Sequence, residues 1–215
     1  MPESLLHDEV VTLLRAILAA WAVEHRPCLV ARNLAVRWDE AFPQVGVDPD
    51  VAVLKPPPPE GEALRSLRAW EPGHHAPLLA VEVVSETNPR KDYVLAPDKY
   101  AASGTRELWV FDPLLCGPAS QGGPFRLQVW SRDARGDFVR TYAGEGPAPS
   151  PALGVHLVVV SEGRKLRVAR DSAGTDFWLT AEEAERAAKE GERAAKEAAH
   201  ARVRELEADL ASRSR

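Results

Sequence analysis

The chain has 215 residues, enough for one medium-sized domain and an appendage, and 45% of them are hydrophobic and 27% charged, as in ordinary globular proteins. No apolar run reaches the length of a membrane span, and the two cysteines are too few for a disulfide framework or a zinc site. The net charge of −5 argues against tight, sequence-independent binding to nucleic acid, because such binding uses a broad basic surface.

The first residues, MPESLLHDEV, lack the basic start and the small-residue cleavage site of a signal peptide. Together with the low cysteine count, this predicts a cytoplasmic, reduced protein with no membrane segment.

The first half of the chain reads as one helix followed by strands. Residues 7–23 place apolar side chains on one helical face, and residues 28–38 and 47–54 each read as a strand. A long connection rich in Pro and Gly follows, and such loops are often functional or mobile. Its neighbouring histidines, His74 and His75, are a possible metal pair, but we expect them to be solvated.

The middle of the chain has the pattern of a strand–helix–strand crossover. Residues 77–85 form a nearly continuous apolar run, which indicates a strand buried on both faces. Residues 97–103 read as a short helix closed by Gly104 in a left-handed conformation, and 107–111 as another buried strand. We expect the two strands to be parallel.

Two predicted hairpins complete the first unit. Residues 125–131 pair with 137–142, and residues 155–160 pair with 165–170, each across a turn sequence. The order of elements predicts an α/β fold with a mixed central sheet flanked by helices.

The composition changes from Thr180 onward. Thr180 and Glu183 form a capping box, so we expect a domain over residues 1–179 and a helical tail over 180–215. Small apolar residues recur in the tail at steps of three or four, at Ala181, Ala184, Ala188, Ala195, Ala199, Val203, Leu206 and Leu210. A modest coiled coil and a solvated helix both fit this mostly alanine seam.

Two acids occupy strand-like segments where apolar side chains are expected. Asp50 stands in VDPDVAV and Glu82 in LLAVEVVS. Burying a carboxylate costs several kcal/mol unless something pairs with it, and a divalent cation between the two would remove that cost. The alternatives are a turn role for Asp50 after Pro49 and a structural bridge from Glu82 to an arginine.

An ordered set of motifs surrounds these acids. In chain order it comprises VDPDV at 47–51, VEVVS at 81–85, NPRKDY at 88–93, KY at 99–100 and ELWVFDP at 107–113. The set resembles the Uma family of putative restriction endonucleases, which is assigned to the PD-(D/E)XK nuclease superfamily. The resemblance runs from about residue 7 to about residue 180 and implies a restriction-endonuclease-like fold.

Carried onto this sequence, the resemblance makes Asp50 and Glu82 metal ligands, and the backbone carbonyl of Val83 completes the oxygen set. The lysine that the superfamily places two residues after the glutamate is missing, because Val84 stands there. Family members commonly carry a lysine on the following helix. Lys99 is therefore the predicted group that orients the attacking water, with Lys91 as its substitute.

Further positions match the family with less defined roles. Asp92 either contacts water in the outer coordination shell of the metal or caps the turn into the helix, and capping is the favoured interpretation. His7 falls where the family often has histidine near the start of its first helix. Glu9, close by, is a candidate extra ligand, since some nucleases of the superfamily use an acid from that helix.

The resemblance implies an endonuclease that hydrolyses DNA phosphodiester bonds with Mg²⁺ or Mn²⁺ and needs no organic cofactor. A homodimer is expected, since two strands require two sites. One alternative is an inactive nuclease-fold module that interacts through its helical tail. Another is a metal-dependent phosphoesterase that acts on RNA or nucleotides.

Overall fold

The computed structural model describes residues 5–213, in two compact units, one ending at Trp178 and the other beginning at Leu179. Over these described residues, no helix combines the length and the apolar character needed to cross a membrane.

From residue 5 onward, the described part of the first unit contains two α-helices and twelve strands. Their bounds are α1 Leu5–Glu24, β1 Leu29–Arg32, β2 Ala35–Arg37, β3 Gly46–Val47, β4 Val51–Leu54, β5 Ser66–Arg68, β6 Leu79–Val83, α2 Ala96–Ala102, β7 Glu107–Phe111, β8 Leu127–Arg132, β9 Phe138–Gly144, β10 Ala148–Ser150, β11 Val155–Val160 and β12 Lys165–Ala169. A π-helical turn, Lys91–Leu95, leads directly into α2, and one-turn 3₁₀ helices span Gly61–Ala63 and Ala119–Gln121.

A six-stranded sheet in the order β1-β4-β6-β7-β8-β9 lies at the centre. Only β6 and β7 run parallel, as the crossover pattern predicts, and the other neighbours are antiparallel. Every residue of β4, β6 and β7 is buried, because both faces of the sheet are covered. The predicted mixed central sheet flanked by helices, with a further C-terminal helix, is confirmed.

The two faces of the sheet carry separate cores. Side chains of β4, β6 and β7 alternate between them, since successive residues of a strand point in opposite directions. One face packs against α1 and strands β10–β12, and the other packs against α2 and the small sheet β3-β2-β5.

Two predicted strands are each broken in two. Residues 28–38 divide into β1 and β2 at Asn33, whose φ of 49° is left-handed and interrupts the extended chain. Residues 47–54 divide into β3 and β4 at Asp48-Pro49-Asp50, where Pro49 has no N–H for a ladder. The expectation of continuous strands was wrong, and Asp50 lies where the chain passes from the small sheet to the central one.

The second unit is the single helix α3, Ala181–Arg213. The predicted capping box is present, since the Thr180 amide donates to Glu183 Oε2 at 2.8 Å and the Glu183 amide donates to Thr180 Oγ1 at 3.2 Å. Val203 and Leu206 of the alanine seam are about half exposed. The side chain of Leu210, the last seam position, lies outside the described residues.

Candidate functional site

Asp50 and Glu82 share one face of the central sheet. Strand β4 pairs with β6 in a register that sets Val51 opposite Val81, so Asp50, one residue earlier, stands opposite Glu82. Directly opposed residues of an antiparallel pair point to the same face. The Val83 amide donates to Asp50 Oδ2 at 2.7 Å, which holds the aspartate against the end of β6.

Glu82 is the more deeply buried of the two acids, with 2% of its surface exposed. The Tyr100 hydroxyl donates to its Oε1 at 2.7 Å, and Lys91 Nζ lies 3.3 Å from its Oε2. Half of the Lys91 side chain is exposed, so the ammonium connects the buried carboxylate with solvent.

The π-helical turn brings a third acid to the same place. In this turn the Ala96 amide donates to the Lys91 carbonyl five residues back, and single π turns of this kind are frequent at functional sites. Asp92 is buried, its Oδ1 lies 3.7 Å from Lys91 Nζ, and the backbone of Ser85 hydrogen-bonds its carboxyl. The turn therefore presents a lysine and an aspartate side by side to Glu82.

Burial and mutual repulsion disturb the ionisation of these groups. Burial first, and the neighbouring Asp50 second, raise the pKa of Glu82 to about 8. Burial and the charge of Asp50 raise the pKa of Asp92 to about 6, against the opposing effect of Lys91. Burial opposes the charge on Lys91, but the three nearby acids outweigh it and raise the pKa of the ammonium.

A histidine from the first helix completes the cluster. His7 is buried at the start of α1, and its Nε2 lies 3.3 Å from Asp50 Oδ2. Asp50 Oδ2 thus receives the Val83 amide and faces the His7 imidazole, which fixes the orientation of the carboxylate.

Two predicted site residues lie apart from the acids. Lys99 is exposed on α2, and within residues 5–213 its side chain makes no hydrogen bond or ion pair. Glu9 is exposed on α1, and the described part of the chain offers it no side-chain contact of these kinds either. The structure therefore brings together Asp50, Glu82, Lys91 and Asp92, but not Lys99 or Glu9.

The donor set suits a hard divalent cation. Asp50 Oδ1 accepts no hydrogen bond from any described residue, and the buried Asp92 Oδ1 likewise has no hydrogen-bond donor among them. Three carboxyls face one lysine, so with all of them ionised the acids exceed the ammonium by two negative charges. Carboxylate oxygens with excess negative charge are what Mg²⁺ and Mn²⁺ prefer. Asp50, Glu82 and the Val83 carbonyl are the residues that could hold such an ion, with Asp92 farther out, since among the described residues only Glu60, Glu71 and His74 bring three side-chain ligand atoms within 4.8 Å of one another.

A second acidic group lies in the loop between β4 and β6. Ligand atoms of Glu60, Glu71 and His74 come within 4.8 Å of one another. His74 Nδ1 accepts the Arg68 amide at 3.1 Å, so the ring proton is on Nε2, which faces Glu60 Oε2 at 3.0 Å. Metal ligation through Nε2 would displace that proton, and ligating histidines usually donate through their other nitrogen. This cluster anchors the loop, and the expectation of a solvated His74 was wrong because the ring is buried.

His7 and Tyr100 were not assigned to the site from the sequence. His7 lies on the buried stripe of α1 with Val10, Val11 and Leu14, and Tyr100 lies one turn after the buried Ala96. A polar side chain on an apolar stripe was the available signal. The partners, Asp50 for His7 and Glu82 for Tyr100, are distant in sequence and could not be read from it.

Comparisons with known proteins identify the family of this chain. No curated protein matches it. The crystal structure of a putative nuclease belonging to DUF820 from Anabaena variabilis is similar, with a TM-score of 0.48 and 15% sequence identity over 71% of this chain and 75% of that chain. The family model described as Uma2, putative restriction endonuclease, matches residues 1–121, more than half of the 215 residues, and the chain belongs to that family.

Proposed function

We propose that this chain is an endonuclease that hydrolyses DNA phosphodiester bonds at the Asp50–Glu82 site and depends on Mg²⁺ or Mn²⁺. The observation that carries the proposal is the excess of buried acids, because the three carboxyls of Asp50, Glu82 and Asp92 face only one ammonium, that of Lys91, and one imidazole, that of His7. A pKa of about 8 leaves Glu82 protonated at neutral pH without a metal, and a divalent cation would take the place of that proton. Membership in the Uma2 family supports the same reaction class.

Each residue of the site is proposed to have a separate role, set by its position. Asp50, Glu82 and the Val83 carbonyl are proposed as direct ligands, and Asp92 as a partner of water bound to the metal. When bound, the ion polarises the scissile phosphate and lowers the pKa of an attacking water. His7 and the Val83 amide hold Asp50 in place, and Tyr100 holds one oxygen of Glu82 so that the other faces Lys91.

Lys91 takes the role that the sequence assigned to Lys99. Its ammonium lies 3.3 Å from Glu82 Oε2 and is half exposed, so it can contact a water or a phosphate oxygen that approaches from solvent. The raised pKa keeps it charged, which suits the stabilisation of a developing phosphorane rather than proton removal. A lysine at this position also weakens the alternative of an inactive module, which rested on the missing motif lysine.

The direct test is cleavage of plasmid DNA by the purified chain with Mn²⁺ or Mg²⁺. We expect nicked or linear product from the wild type and a loss of at least about a thousandfold in Asp50→Ala and in Glu82→Ala, since charge stabilisation at the reacting centre is lost. Mn²⁺ titration calorimetry on the same variants reports the metal site without a substrate. Equal cleavage by wild type and both variants would contradict the proposal.

Homodimerisation through α3 is proposed as part of the same function. The helix is exposed along nearly all of its described side chains, and its seam presents Val203 and Leu206 to solvent. Sedimentation velocity should give twice the monomer mass for the full chain and the monomer mass for a chain ending at Leu179. A monomer mass for both chains would contradict dimerisation through α3.

A further inference from the structure

A groove with a volume of about 490 Å³ lies beside β1, the edge strand of the central sheet. We call it the arginine groove. Its walls are α1, β1 and the 3₁₀ turn Gly61–Ala63, and its polar lining consists of Thr12, Arg15, Arg32, Asn33, Glu62 and Arg65.

The groove concentrates positive charge on a chain whose net charge is −5. Arg15 and Arg65 are exposed, and within the described part of the chain neither side chain makes a hydrogen bond or an ion pair. Arg32 is held by Asp8 and lies 3.4 Å from Thr12 Oγ1. Glu62 is the only acid in the described lining, so two guanidiniums remain available to a ligand.

The groove is next to the candidate metal site, because its strand β1 pairs with the strand that follows Asp50. The Asn33 amide donates to the Asp50 carbonyl at 3.3 Å, and Arg32 pairs with Val51, the residue after Asp50. In the strand order β1-β4-β6, Glu82 lies two strands from the groove. At about 4.8 Å per strand, the backbones of β1 and β6 lie roughly 10 Å apart, close to three base-pair steps of about 3.4 Å.

We infer that the arginine groove binds the sugar–phosphate backbone of the DNA on which the Asp50–Glu82 site acts. The inference rests on the proposed function. Arg15 and Arg65 are the phosphate contacts, and Arg32, fixed by Asp8, shapes the wall between them and the metal site. A local cluster of arginines that contacts phosphates lets an acidic protein bind a polyanion without a broad basic surface.

The test measures DNA affinity separately from cleavage. A fluorescein-labelled 20-base-pair duplex is titrated with Glu82→Gln protein, which keeps the DNA intact, at several salt concentrations. Adding Arg15→Gln and Arg65→Gln together should weaken binding by on the order of tenfold or more. It should also reduce the slope of log affinity against log salt by about 2, one unit for each lost phosphate contact.

The matched control is Arg106→Gln with Arg164→Gln in the same background. Both arginines are exposed, and within residues 5–213 their side chains make no hydrogen bond or ion pair, so the net charge changes equally. Arg106 precedes Glu107, at the opposite end of the β6–β7 ladder from Glu82. The control should retain most of the affinity and the salt slope.

Equal affinity and slope in the groove variant and its parent would overturn the inference, as would equal losses in the groove and control variants. So would a parent protein that does not bind the duplex. The proposed function is judged separately, by the cleavage and Mn²⁺ titration of the Asp50 and Glu82 variants. A wild type that cleaves normally while the groove variant binds normally would refute the groove alone.

Discussion

Two buried glutamates occupy the neighbouring strands β6 and β7, and their surroundings differ completely. Glu107 accepts hydrogen bonds from Trp109 Nε1 at 2.7 Å, from the Ala152 amide at 3.0 Å and from the hydroxyls of Ser131 and Ser150. Glu82 faces two other acids, one lysine and one tyrosine. The first carboxylate is stabilised by neutral donors from within the protein, whereas the second depends on positive charge.

The difference shows which signal separates a structural acid from a functional one. Both glutamates stand in apolar strands, so an acid in an apolar run does not distinguish them. Their neighbours do, because Glu107 is surrounded by neutral hydrogen-bond donors, and Glu82 by acids that repel it. Three predictions can break this comparison or sharpen it.

Replacing each glutamate by glutamine should have very unequal effects on the free energy of unfolding, and this is the largest difference expected. In Glu107→Gln the amide would point donors at donors, which should lower the free energy of unfolding by about 3 kcal/mol. Glu82→Gln keeps an acceptor for Tyr100 and removes a charge beside Asp50 and Asp92, so it should change stability by less than about 1 kcal/mol. Urea denaturation at pH 8 without metal measures both. Similar losses in the two variants would mean that Glu82 is also structural.

The second prediction concerns the two lysines near Glu82 in sequence. Lys91→Ala should reduce Mn²⁺-dependent DNA cleavage by about a hundredfold or more, because the lost cation contacts the reacting groups. Lys99→Ala, its matched control, removes the same side chain from an exposed position two turns along and should retain nearly full activity. Initial rates at saturating Mn²⁺ give the comparison. A larger loss in Lys99→Ala would return the role to that residue.

The sequence was sufficient for the parts of the fold that depend on local patterns. The apolar runs located β6 and β7, helical periodicity located α1, and the capping box located the start of α3. The break of residues 28–38 at Asn33 could not be predicted, since it depends on which strands β1 and β2 pair with in two different sheets.

The candidate site could be predicted in part for the same reason. Asp50 and Glu82 share a face because β4 and β6 pair in register, as their motifs suggested. Lys99 was chosen as the lysine of the following helix, one turn after Ala96. Both residues lie in α2, but Ala96 is buried and Lys99 is exposed, whereas Lys91, the substitute, lies in the π-helical turn that faces Glu82. The contact of His7 with Asp50 joins residues far apart in the chain, so the sequence shows a histidine on an apolar helical stripe but does not show its partner.

The smallest expected effect, and the most specific, is a pH dependence that metal should remove. The pKa of Glu82 in the folded protein is about 8, above the ordinary 4.5, so the folded state holds this proton more tightly than the unfolded state. That contribution to stability is complete below about pH 4.5 and is lost as the pH rises through about 8. Without metal, the melting temperature should therefore fall between pH 6 and pH 8.5, and Glu82→Gln should flatten the fall.

Mn²⁺ should act in the opposite direction, because it requires the deprotonated carboxylate and binds better as the proton leaves. We expect the increase in melting temperature on adding Mn²⁺ to be larger at pH 8.5 than at pH 6 in the wild type, and absent in Glu82→Gln. The Glu107 region provides the internal standard, since its carboxyl accepts hydrogen bonds from fixed neutral donors of the protein. An increase that is equal at both pH values would mean that the ion binds away from Glu82, and the contrast between the two glutamates would then lose its functional meaning.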